Sequence, residues 1–193
     1  MAPRVEDRAI DDASTDLPPV TLILGGARSG KSARAESLVT RGFGRHWDGG
    51  LYVATARIGD DEMAARVREH RARRGGSWTT LEEPVALADV LRDNVTARCP
   101  ALVDCLTLWL TNVMLSDRDP DQESRRLIDG LGGLDGPVVL VSNEVGLGIV
   151  PDNALARAFR DHAGYLNQRI AAAAQRVEFI AAGLPLTLKN EQT

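Results

Sequence analysis

The sequence predicts an α/β fold, a mostly parallel sheet with helices on both faces. Two observations carry that expectation. Short, continuous apolar runs alternate along the chain with helix-like stretches, the pattern of strands covered on both sides. The first of those runs, VTLIL, leads directly into GGARSGKS at residues 25–32, a phosphate-binding loop placed between a strand and a helix as in P-loop NTPases.

Composition sets the outer bounds. With 193 residues, 44% apolar and 26% charged, the chain has the makings of one soluble globular domain with one core. A net charge of -4 gives no global basis for binding nucleic acid or an anionic membrane, although basic residues cluster at 66–74. Two cysteines, Cys99 and Cys105, with no CxxC pair, indicate neither a disulfide framework nor a zinc site. The N-terminal residues hold no apolar segment of a secretory signal, and no apolar run approaches the roughly 20 residues of a membrane span. The expected location is cytoplasmic.

Residues 1–19 are polar, acidic and closed by Pro18-Pro19, so a flexible extension is expected there. Residues 20–193 are then read as a single domain. Strands are expected at VTLILG (20–25), LYVAT (51–55), ALVDCL (101–106), VVLVSN (138–143) and VEFIAAG (177–183). A helix should start in SARAESLV after the loop, and another over 60–74, from Asp60 or Asp61 near its N-cap to a stop at Gly75-Gly76. The clearest helix spans 153–175, capped by Asp152 or Asn153, with Leu155, Phe159, Leu166 and Ile170 along its core stripe.

Gly25, Gly30, Lys31 and Ser32 satisfy G-x-x-x-x-G-K-[ST]. The glycines let backbone N–H groups turn in around a phosphate, and the helix N-terminus adds partial positive charge. Lys31 is placed to reach the β and γ oxygens and Ser32 to ligate magnesium. Asp104, closing the run ALVD, stands where a carboxylate would hold magnesium or its water shell, although an acidic residue ending a buried strand also serves as a turn or helix cap. Asn143-Glu144 ends the fourth run in the same way and opens onto VGLGIVP, on the edge where such sheets bind ligands.

The loop alone does not name a reaction. No NKxD string follows the loop and no switch-type DxxG stands in the expected region, which makes a signalling GTPase a poor reading. In the 60–78 segment, Met63, Val67 and His70 share one helical face, ringed by Arg66, Arg68, Arg71, Arg73 and Arg74. A neutral imidazole amid cations has a lowered pKa and is a nucleophile; taken alone, such a histidine reads first as a packed or solvated residue. His46 and His162 lack a polyphosphate-binding context.

Together, GGARSGKS, YVAT, DDEMAARVREHRARRG, LEEP, VDCLTLWLTN and VSNEVGLGIVPDNALARAFRDHAGYLNQRIA resemble the bifunctional adenosylcobinamide kinase and adenosylcobinamide-phosphate guanylyltransferase family, from residue 20 to about 188. The resemblance implies a RecA-like α/β fold, a homo-oligomer, GTP and ATP as substrates, Mg2+ as cofactor, and adenosylcobinamide as acceptor. It places the guanylyl-carrying histidine at His70. It further implies nucleotide contacts from Gly26, Ala27, Arg28, Ser29, Gly30, Lys31, Ser32 and Ala33, from Ala54, Thr55 and Ala56, from Arg71, Ala72, Arg73 and Arg74, and from Glu82 and Asp104. Two other readings stay open on the residues: a P-loop small-molecule kinase in which His70 is inert, and a nucleotide-switched binding module.

Overall fold

The computed structural model describes residues 17–43, 49–56 and 77–191. The loop strand β1 (Val20–Gly25) runs into α1 (Lys31–Phe43), followed by β2 (Gly50–Ala54), β3 (Trp78–Glu82), α2 (Leu87–Asn94) and β4 (Ala101–Asp104). Then come α3 (Leu106–Met114), α4 (Pro120–Leu131), β5 (Val138–Asn143), α5 (Ala154–Ala173), β6 (Arg176–Ala181) and β7 (Leu184–Asn190). They form a seven-stranded sheet in the order β3-β2-β4-β5-β1-β6-β7. Every neighbouring pair is parallel except β6 and β7.

The continuous apolar runs arise because both faces are covered. Alternate residues of each central strand enter different cores. Leu22, Leu24, Leu51, Val53, Val103 and Leu140 join α2 to α5 on one face. Ile23, Tyr52, Leu102, Val139 and Val141 pack under Ala35, Leu38 and Val39 of α1 on the other, with Leu17 against the same cluster.

Two expectations need correction. The run ALVDCL is not one strand: β4 stops at Asp104, Cys105 is extended, and Leu106 opens α3. Leu106 and Leu110 are buried by helix periodicity, which a short apolar run cannot distinguish from a strand. The helix expected at about 153–175 is Ala154–Ala173, capped as expected by Asn153, whose side chain accepts from the N–H groups of Leu155 and Ala156. Leu155 is exposed rather than part of the core stripe, since the first turn projects beyond the sheet.

Two strands had no counterpart among the sequence expectations. The edge strand β3 is only half-buried, so its residues are not uniformly apolar. The antiparallel β7 follows a two-residue turn, Ala182-Gly183, with both residues at positive φ, the geometry of a tight hairpin usually announced by Asn-Gly.

One buried charge cluster ties α1 to β6. Glu178 accepts two hydrogen bonds from Arg34, both 2.9 Å, and one from Arg176 at 2.8 Å. Burial pushes its carboxyl up, but the Arg34 hydrogen bond and the charges of Arg176 and Arg34 outweigh that and hold it below the ordinary value of 4.5. Glu178→Ala removes the buried carboxylate that Arg34 and Arg176 share and should cost about 3–5 kcal/mol, read by chemical denaturation. Because the folded-state value is depressed, this contribution is present above the ordinary value and fades as pH falls through the folded one. The gap between wild type and variant should therefore narrow below about pH 4.5; a pH-independent gap would assign the cost to packing.

Candidate nucleotide site

The cradle is built by backbone that only small residues permit. At Gly25, φ is 149° and a Cβ would stand 2.4 Å from the Ile180 carbonyl oxygen. Gly30, at φ 101°, faces the Gly183 Cα at 3.3 Å from its own would-be Cβ. The turn of the β6–β7 hairpin braces the loop from outside, the Gly183 N–H donating to the Ser29 carbonyl at 2.9 Å. Helix α1 begins at Lys31, so its free N–H groups and positive dipole end face the loop interior.

Strand register brings the other candidates to the same sheet edge. Glu82 pairs with Ala54, Ala54 with Asp104, and Gly25 with Asn143. These lie at the C-terminal ends of their strands, where ligands bind in open α/β sheets. Asp104 is reached from two sides: the Ser32 hydroxyl donates to its Oδ2 at 2.8 Å and the Tyr52 hydroxyl to the same atom at 2.7 Å. A hydroxyl on the first turn of α1 and a carboxylate across from it are hard oxygen donors suited to magnesium completed by phosphate oxygens and water.

Lys31 is 7% exposed and its Nζ donates to the Gly26 carbonyl. Desolvation lowers its pKa, opposed by Cys105 and Asp104. A buried ammonium of this kind gains most from an anionic partner. Polyphosphate would supply that partner within the loop.

Thr55 plays a different part. It is fully buried, donating to the Cys105 carbonyl at 2.7 Å and accepting the Cys105 N–H at 2.9 Å. Asn112 then holds the Thr55 carbonyl at 2.7 Å, and Asn143 donates to Thr107 at 2.7 Å. These bonds lock the ends of β2, β4 and β5 together beneath the cradle.

Of the carried-over residues, Gly25 to Ala33, Ala54 to Ala56, Glu82 and Asp104 thus belong to one edge. His70, Arg71, Ala72, Arg73 and Arg74 lie outside the described residues, as does His46. His162 sits on α5 with its Nδ1 3.3 Å from Asp121, engaged between two helices. The residue that sequence reasoning passed over is Tyr52, edge-to-face with Trp78 at 6.0 Å. Its signal was a lone hydroxyl in the otherwise apolar run LYVA.

The cobinamide kinase / cobinamide phosphate guanyltransferase family model matches residues 21–188. The chain is 53% identical over 176 residues to the bifunctional adenosylcobalamin biosynthesis protein CobP of Pseudomonas aeruginosa, covering 88% of this chain and 97% of that one. It is 39% identical over 183 residues to the bifunctional adenosylcobalamin biosynthesis protein CobU of Escherichia coli, covering 87% and 98%. Among solved structures, the flagellar accessory protein FlaH of Methanocaldococcus jannaschii superposes with a TM-score of 0.53 at 12% identity, over 91% of this chain and 80% of that one; this likeness concerns the fold alone. With its phosphate cradle, its sheet order and this match over nearly all of the described sheet, the chain belongs to the cobinamide kinase / cobinamide phosphate guanyltransferase family.

Proposed function

We propose that this chain phosphorylates adenosylcobinamide with a nucleoside triphosphate and then transfers GMP from GTP to the resulting phosphate through a guanylyl-histidine at His70, releasing pyrophosphate. Family membership supports the two reactions. The observation that carries the site is the Ser32–Asp104–Lys31 arrangement at one sheet edge.

In the first reaction the acceptor hydroxyl oxygen attacks the γ phosphorus and the bond to the β-bridging oxygen breaks, releasing the nucleoside diphosphate. Lys31 and the α1 N-terminus stabilise charge on the β and γ oxygens. Ser32 and Asp104 would hold magnesium, which would neutralise further phosphate charge. In the second, an imidazole nitrogen of His70 attacks the α phosphorus and expels pyrophosphate, whose charge the same loop can accept. The phosphate of the acceptor then attacks the guanylyl phosphorus, breaking the P–N bond and regenerating His70. Two displacements spare the site from aligning GTP and a bulky acceptor at once.

The exposed leucines of the edge strand β7, Leu184, Leu186 and Leu188, support a homo-oligomer, because long apolar edges are normally covered. The cytoplasm is the compartment proposed. Among the described residues, no helix is long and apolar enough to cross a membrane.

Product analysis tests the reading. Wild type given GTP, magnesium and adenosylcobinamide should yield adenosylcobinamide phosphate, then adenosylcobinamide-GDP and pyrophosphate, identified by mass. Phosphorylation without pyrophosphate would leave a kinase only; slow hydrolysis without any corrinoid product would leave a nucleotide switch.

Tyr52 yields a prediction of its own. Its hydroxyl fixes the carboxylate that Ser32 also contacts, and a hydrogen bond to a charged group contributes about 1.5–3 kcal/mol. Tyr52→Phe should raise the magnesium concentration for half-maximal activity by about tenfold while GTP binding without metal stays unchanged. An unchanged magnesium titration would reduce Tyr52 to a packing residue.

A further inference from the structure

The loop after β5 reverses the usual placement of side chains. Polar side chains bond the loop's backbone at its two ends: Glu144 Oε1 accepts the Gly146 N–H at 2.6 Å, and Arg157 Nη1, from the first turn of α5, donates to the carbonyls of Pro151 and Asp152 at 2.9 and 2.7 Å. Its apolar groups turn outward, with Leu147 83%, Ile149 97% and Val150 57% exposed, joined by Leu155 at 53% on the first turn of α5. Val145, at the root, packs against the main core. The loop is thus anchored by its base and its end while presenting aliphatic surface to solvent.

Topology fixes where that surface lies. Strand β5 stands between β1 and β4, that is, between the phosphate loop and Asp104. The loop that leaves β5 therefore emerges between the two features that mark the β and γ phosphates. It is continuous with the cradle, because the Glu144 N–H donates to the Gly25 carbonyl at 3.0 Å. An acceptor must bring its hydroxyl oxygen to about 3–3.5 Å from the γ phosphorus, while the rest of a large molecule stays outside, against whatever borders that opening.

We infer that the 144–151 loop, with Leu155, is the seat for the corrin ring of the acceptor. The inference rests on the function proposed above and extends it to the site of the second substrate. A corrin macrocycle is a broad plate with methyl-bearing faces and an amide-bearing rim. Leu147, Ile149, Val150 and Leu155 offer its face an aliphatic bed, a contact that gains from removing apolar surface from water on both partners. The phosphate-accepting arm can then extend toward the cradle. This occupant explains why the surface adjoins the nucleotide site; the leucines of β7, on the edge strand beyond β6, are the surface proposed above for self-association.

The test uses the full chain with Leu147→Ser and Ile149→Ser combined, both positions being exposed enough for the fold to tolerate them. Equilibrium dialysis against adenosylcobinamide should show Kd raised by about tenfold or more, as expected for losing two buried aliphatic contacts. The KM for adenosylcobinamide should rise in parallel, with the KM for GTP and the sedimentation coefficient at wild-type values. Wild-type Kd in the double variant overturns the assignment. So does normal corrinoid binding accompanied by dissociation into smaller species, which would give the loop to a contact between copies. If wild type itself neither binds nor phosphorylates adenosylcobinamide, the proposed function fails and the loop assignment falls with it; a wild type that acts and a double variant that acts equally well sink the loop assignment alone.

Discussion

Replacing Lys31 by alanine is expected to abolish both the kinase and the guanylyltransferase reactions. Each displaces a group whose charge grows on oxygens held in the same loop: the nucleoside diphosphate in one case, pyrophosphate in the other. Lys31 is buried at the start of α1 with its Nζ against the Gly26 carbonyl, so its charge acts where little water screens it. Removing one such electrostatic contact costs about 3–4 kcal/mol in the transition state, or several hundredfold in rate. The loop should survive the change, because its shape rests on Gly25, Gly30 and the brace from Gly183 rather than on the lysine side chain. Circular dichroism and thermal unfolding check that point. Lys31→Arg, which keeps charge with different reach, should recover little. Near-normal turnover of Lys31→Ala in either assay would mean that the reactions do not share this cradle.

The second large effect belongs to His70. Incubation with GTP labelled at the α phosphorus should leave label covalently on wild type, whereas label at the γ phosphorus should not remain. The bond should be labile in acid and stable in base, as for a phosphoramidate and unlike a serine or threonine ester. His70→Ala should lose the label and the guanylyltransferase reaction by several orders of magnitude, since a missing nucleophile has no substitute in a covalent mechanism. Kinase activity should persist, because phosphoryl transfer needs the loop and the metal but no covalent intermediate. If the alanine variant still accepts α label, the nucleophile lies elsewhere, with His46 next in line. If wild type releases pyrophosphate without ever taking the label, transfer is direct.

The readings that survived contact with the structure were those with a local cause. A strand buried on both faces is mostly apolar, so VTLILG and VVLVSN announced β1 and β5 with their observed limits. A phosphate loop needs glycine where the backbone turns and a lysine and hydroxyl at the helix start, so GGARSGKS announced the cradle. The same logic erred where two structures share one local pattern. The apolar residues after Asp104 belong to α3, and their helical spacing emerges only beyond the short run. Elements with no strong pattern, the half-exposed β3 and the hairpin strand β7 with its Ala-Gly turn, left little trace to read.

By itself, the sequence determined the fold class, the phosphate cradle and the family, because each rests on residue types at fixed short spacings. Only the tertiary structure decided which distant residues meet. Ser32 and Tyr52 converge on Asp104 from separations of 72 and 52 residues, Arg34 finds Glu178 across 144, and the Gly183 turn braces Ser29. The lone hydroxyl of Tyr52 in LYVA does not tell which carboxylate it meets, since strand order and register, set by packing of the whole sheet, bring β2 beside β4. The outward-facing Leu147 and Ile149 likewise read in sequence as ordinary apolar residues. The sequence already set their loop on the ligand edge, but only the insertion of β5 between β1 and β4 makes it leave the sheet between the phosphate loop and Asp104, because a strand's neighbours depend on every crossover in the chain and on no residue alone.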